Sequence, residues 1–73
     1  MASTIRLIAT SRGVRLRLKG EGGKAKDVEL VTDGAEWWRA DEETSKTRRR
    51  WMSYRLAAVE VIEEHAAFLA GGA

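Results

Sequence analysis

The chain has 73 residues, 44% hydrophobic and 33% charged, with no Cys, no Pro, a single His and a formal net charge of +2. One core is all that such a length can hold, about 60% of the unfolded surface being buried at this size, and the composition excludes disulfides and leaves too few soft ligands for a zinc site. No charged-then-apolar leader and no run of about 18 apolar residues occurs, so the expectation is a cytoplasmic, non-membrane protein that gains stability by forming a homodimer.

The small net charge hides a segregation along the chain. Residues 1–26 hold seven cations (Arg6, Arg12, Arg15, Arg17, Lys19, Lys24, Lys26) against Glu21 alone, and residues 27–45 hold seven carboxylates against Arg39. Lys46, Arg48, Arg49, Arg50 and Arg55 follow, and then Glu60, Glu63 and Glu64. Blocks of alternating sign either lie side by side and neutralise one another, or leave a basic face for an anionic partner.

The first two elements read as strands. Ile5, Leu7 and Ala9 alternate with Thr4, Arg6 and Ile8, and Val14, Leu16 and Leu18 alternate with Arg15, Arg17 and Lys19, the period of half-buried β-structure. A turn at Arg12-Gly13 sets Leu7 opposite Leu18 and Ala9 opposite Leu16, with both apolar rows on one side. The loop Gly20–Lys24 is rich in Gly but lacks the Gly-Lys-Ser/Thr ending and the following helix of a phosphate-binding loop.

A third strand is expected around Val28 to Thr32. Asp33-Gly34 is a hairpin signal that pairs Leu30 with Trp37 and Glu29 with Trp38, placing Trp37 in the core and Trp38 outward. The competing reading makes Asp33 a helix cap with Glu36 three residues on, so 33–44 is a strand or a helix.

From Asp41 to Ala70 the pattern is helical, with carboxylates in the first turn and Gly71-Gly72 at the end, leaving 71–73 as a tail. A helix of that length spans roughly 40 Å against a sheet about 20 Å wide, so it overhangs, breaks near Ser45 or meets another chain. Trp51, Met52, Val59, Ile62, Ala66 and Leu69 form one apolar stripe suited to packing on the sheet, with Arg55 among them. Tyr54, Val61 and Phe68 recur every seven residues on another side, a seam suited to a partner helix and expected to hold the homodimer together. The alternative cover for that seam is the acidic 33–44 segment. The fold class expected is thus α+β, one domain over 1–73, with an antiparallel sheet of three to four strands in 1–40 and one long C-terminal helix in 41–70.

Catalytic parts are sparse. There is no Cys nucleophile, His65 has no obvious carboxylate to orient it, and Glu60, Glu63 and Glu64 read as a solvated helix face, so no catalytic residue, metal or cofactor is expected. Two features point to binding. On the outward sheet face, Arg6, Arg15, Arg17 and Lys19 would stand with Trp38, cations for phosphates beside a ring for base stacking. Lys46, Arg48, Arg49 and Arg50 put four cations into five positions, a density suited to phosphates or to an acidic protein surface. The sheet-face alternative is cross-strand pairing of the arginines with Glu29 and Asp27, with Trp38 covered. The expected function is a non-catalytic module that binds nucleic acid or a nucleoprotein. The alternative is a protein-interaction or inhibitor module using Trp and Arg hot spots, of the kind that small phage-encoded proteins use to block a host complex.

Overall fold

The computed structural model describes residues 2–72. Four strands, β1 (Thr4–Ala9), β2 (Gly13–Lys19), β3 (Ala25–Thr32) and β4 (Trp37–Arg39), form one antiparallel sheet in the order β1-β2-β3-β4. A 3-10 turn at Ala40–Glu42 and an irregular segment lead to helix α1 (Tyr54–Glu64) and the single turn α2 (Ala66–Leu69).

Both hairpins are offset from the expected register. Leu7 pairs with Leu16 and Ala9 with Val14, so the turn falls on Ser11 and Arg12. The Thr10 hydroxyl accepts the Gly13 N–H at 3.0 Å while the Thr10 N–H donates to the Gly13 carbonyl at 3.0 Å, a closure that an Arg12-Gly13 turn could not make. In the second hairpin Thr32 pairs with Trp37 and Val31 with Trp38. The Asp33 carboxylate accepts the N–H groups of Ala35 and Glu36, both at 2.9 Å, so Asp33 caps a loop of residues 33–36 where a two-residue turn was expected. Gly34 stands there at φ +100°, a conformation costly for any other residue. Both offsets move the pairing by two positions, so every side chain keeps its expected face.

The core lies between the sheet and α1. Leu16, Leu18, Val28 and Leu30 supply its floor, and Trp51, Ala57, Ala58, Val61 and Leu69 its roof. Each fully buried Leu or Val contributes roughly 1.5–3 kcal/mol.

The single long helix is the principal correction. Trp51 exchanges two backbone hydrogen bonds with Trp37, at 2.7 and 2.9 Å, and adds one bridge to the outer edge of β4. Residues held in an extended bridge cannot be helical, so α1 starts only after Ser53, whose hydroxyl accepts the Leu56 N–H at 3.2 Å. At the other end His65 departs from helical geometry with φ −103° and ψ 16°, separating α1 from α2.

With that start, α1 presents a different stripe to the sheet. Val61 is fully buried, Phe68 packs on the core, and the Tyr54 ring meets Trp37 edge-on at 5.8 Å. The three residues expected to form a seam for a partner helix therefore face the protein's own sheet. Met52 and Val59, expected in the core, are 75% and 54% exposed. Ala57 and Ala58 explain the choice: small side chains let the helix axis approach the sheet closely.

Candidate functional site

The outward sheet face carries Arg6, Arg15, Arg17 and Lys19 as the alternation requires. Two of the four are engaged. Arg15 donates from Nε and Nη2 to one Glu29 oxygen, at 3.1 and 2.8 Å. Arg17 forms a two-pronged pair with Asp27, at 3.0 and 3.1 Å. The register causes this, because β2 and β3 set Arg15 opposite Glu29 and Arg17 opposite Asp27. Hydrogen bonding from Arg17 holds the Asp27 carboxyl below its ordinary range.

Trp38 points to this face, as its parity demands, yet it is buried. The segment after β4 folds back over it and lays the Arg48 guanidinium on the indole, 4.2 Å from the ring centroid. Arg48 is fixed there by donating to the Glu43 carbonyl at 3.0 Å. Glu43 also pairs with Arg12 at 2.5 Å, and that contact is the main cause of its lowered pKa. The indole Nε1 is buried and closes no hydrogen bond, although it lies near enough to help stabilise the Glu43 carboxylate. The ring expected as a stacking platform is thus part of a second, smaller core with Val31.

The dense cation cluster is likewise divided among partners. Arg49 reaches Glu42 at 2.8 Å, Glu60 at 3.8 Å and Glu64 in close contact, and its guanidinium lies 5.1 Å from the centre of the Trp51 ring. Arg50 approaches Glu36 at 3.6 Å. Lys46 is exposed and makes no ion pair among the described residues. Four neighbours in sequence therefore have four different environments, and they do not form one patch.

What remains is elsewhere. Among the described residues Arg6, Lys19, Lys24 and Lys26 are exposed and form no ion pair. They lie toward one end of the sheet but on both of its faces: Arg6, opposite Arg17, and Lys19, opposite Thr4, stand on the outward face, Lys26, opposite Leu18, stands on the face that bears the helix, and Lys24 is in the loop that joins β2 to β3. Glu21 is the one carboxylate in that loop. Lys24 and Lys26 were not singled out from the sequence. The signal was the one-sided charge of residues 1–26, to which both belong.

The Gly-rich loop is held by contact with the C-terminal turn. The Glu21 N–H donates to the Leu69 carbonyl at 3.0 Å, and Gly20 sits against the Phe68 carbonyl so closely that an added Cβ would lie 2.4 Å from its oxygen. Gly20, Gly22, Lys24, Phe68, Gly71 and Gly72 line an open cleft of about 330 Å³. The described residues include no group of three or more His, Asp or Glu placed to hold a metal, and no helix long and apolar enough to cross a membrane.

No family model, curated protein or solved structure matches this chain.

Proposed function

We propose that the protein is a non-catalytic binding module that contacts nucleic acid or a nucleoprotein through the basic end of its sheet. The observation that carries this reading is that Arg6, Lys19, Lys24 and Lys26, around one end of the sheet and on both of its faces, have no carboxylate partner among the described residues, while most other cations are paired within the fold. Arg15 and Arg17 stand beside Arg6 and Lys19 in exposed pairs, which solvent screens and which can yield to phosphate. With Trp38 covered, the outward face has no open ring for base stacking. Recognition is then of the phosphate backbone, independent of sequence and steeply sensitive to salt.

Four phosphate contacts give a slope of log affinity against log salt of about −3.6 on duplex and about −2.8 on a single strand. Anisotropy titrations of labelled duplex and single strand at low and moderate salt test this. The variant Arg6→Ala/Lys19→Ala/Lys24→Ala/Lys26→Ala should lose binding, whereas Lys46→Ala should retain it. No binding to either form at low salt defeats the proposal.

A second reading, a protein-interaction or inhibitor module, is favoured by Met52 and Leu56, 75% and 55% exposed on the helix side of the molecule. An interface centred on such residues responds weakly to salt, which separates the two classes.

A further inference from the structure

Ile5 and Leu7 have the same facing as Leu16 and Leu18, yet they are 44% and 57% exposed, because α1 and the residues after it roof β2 and β3 and leave most of β1 open. The uncovered row belongs to an edge strand. The Thr10 N–H to Gly13 carbonyl bond fixes the phase of the β1–β2 ladder, and the Thr32 N–H to Arg12 carbonyl bond gives the same phase from the other side of β2. Thr4, Arg6 and Ile8 direct their backbone groups to β2, while Ile5, Leu7 and Ala9 direct theirs to the open edge. The same three residues thus carry both the unpaired backbone and the uncovered side chains. β1 has no Pro, no bulge and no charge on its apolar side, the usual devices that keep an edge from pairing.

We infer that β1 pairs antiparallel with β1 of a second copy of this chain, joining two four-stranded sheets into one. Charge chooses the register. Apolar rows stay on one face only if the two-fold axis passes through a residue, and an axis at Arg6 would set two arginines directly opposite each other. An axis at Leu7 sets Leu7 against the partner's Leu7, Ile5 against the partner's Ala9 and Arg6 against the partner's Ile8. All three outward-facing residues are then matched, giving about six backbone hydrogen bonds.

Both helices lie on the same face of the joined sheet. Ser3 shares a cleft with Ile62, Glu63 and Ala66, so this is the flank of the helical segment that faces β1, and Val59 continues it one turn earlier. The paired Ile5 and Leu7 rows are therefore flanked on both sides by apolar helix surface. A strip about 20 Å long lies toward the lower end of specific interfaces, near 1,200 Å² in total, so the dimer should dissociate on dilution. The opposite face would bring Arg6, Arg15 and Arg17 of each copy around the axis, which would enlarge the basic surface, but the pairing itself does not depend on nucleic acid.

Light scattering at high protein concentration, without nucleic acid, should give twice the 8.1 kDa mass of the chain. The absence of native Cys makes a cross-link unambiguous. Leu7→Cys places two thiols on residues about 5.5 Å apart between Cα atoms, within disulfide range, whereas Ile5→Cys leaves them about 13 Å apart. Oxidation should link the first variant and not the second, and Leu7→Lys, at a site exposed in one copy, should give a folded monomer by circular dichroism and scattering. A wild type that stays monomeric, a Leu7→Lys variant that stays dimeric, or cross-linking through Ile5→Cys in place of Leu7→Cys would each overturn the inference. Loss of nucleic-acid binding in the basic-end variant with the Leu7→Cys link intact would leave the dimer standing.

Discussion

Arg49 joins Glu42, at the end of the 3-10 turn, to Glu64, at the end of α1, with its guanidinium over the Trp51 ring. It ties the 3-10 turn to the helix and lies on Trp51, the residue that bridges to β4. Arg49→Ala removes charge-assisted hydrogen bonds and the ring contact together. Because Arg49 is about a third exposed, solvent discounts the electrostatic part, and the expected cost is about 1–2 kcal/mol. At this chain length that lowers the melting temperature by about 4–16 °C. Arg49→Lys keeps the charge but cannot make the forked contact, so it should recover only part of the loss. A melt of Arg49→Ala indistinguishable from wild type would mean the segment is held by its other contacts, the Trp51 bridge, Arg48 on Trp38 and the Arg12–Glu43 pair.

Acid should loosen the same region. Hydrogen bonding from Arg49 holds the Glu42 and Glu64 carboxyls below their ordinary range, Arg39 does so for Asp41, and the N–H groups of Glu36 and then Ala35 do so for Asp33. A carboxyl whose pKa is lowered by folding stabilises the fold while it is ionised in both states. That stability is fully present above about pH 4.5 and is lost as pH falls through the lowered folded values. The urea midpoint should be flat from pH 7 to about pH 5 and should drop below about pH 4, less so in Arg49→Ala. An acid-insensitive midpoint would contradict these assignments.

The inward and outward parities of Trp37 and Trp38 could be read from period-2 patterns, because they depend on neighbours along the chain, whereas the pairing of Arg15 with Glu29 and of Arg17 with Asp27 was one of two alternatives that only the β2–β3 register decides. What covers Trp38 could not be read from such patterns. Its cover is Arg48, ten residues on, and that contact exists only because the segment turns back after Glu42. The helix start failed for a related reason. Residues 41–53 have acceptable helical composition, and the long-range bridge from Trp51 to Trp37 overrides it. With the later start, Tyr54, Val61 and Phe68 turn to the sheet and Met52 and Val59 turn away from it, while Trp51 and Leu69 stay in the core, since periodicity states that a stripe exists without stating which residues meet the sheet. Dense positive charge at 46–50 was equally uninformative, because its carboxylates come from Glu36, Glu42, Glu60 and Glu64, which are remote in sequence.

Trp38 offers a direct test of its buried position. Trp38→Ala should cost about 3–5 kcal/mol, enough to unfold much of a domain this small, whereas Trp38→Phe should cost far less, since it keeps most of the ring volume and removes an N–H that has no partner. Trp38→Ala would therefore abolish any binding through unfolding, and only the Phe variant is informative about function. Denaturation curves of the two variants, with iodide quenching of wild-type fluorescence, provide the measurement. A folded Trp38→Ala protein would show that the ring is not under Arg48.

Gly20 and Gly22 provide a contrast within one loop. A Cβ on Gly20 would meet the Phe68 carbonyl oxygen at 2.4 Å, whereas a Cβ on Gly22 would have only ordinary contacts, at 3.7 Å and beyond, with Gly71. The Phe68 oxygen is backbone and cannot swing aside. To admit the methyl group, α2 must move off the loop, which would break the Glu21 to Leu69 hydrogen bond and disturb the packing of Leu69 and Phe68 on the core. Gly20→Ala should therefore cost about 1–3 kcal/mol, and Gly22→Ala should be near neutral. Hydrogen exchange at the Glu21 amide distinguishes this from a general weakening: its protection should fall in Gly20→Ala more than that of the β2–β3 ladder. Equal losses in both variants would count against the close approach of α2 to this loop.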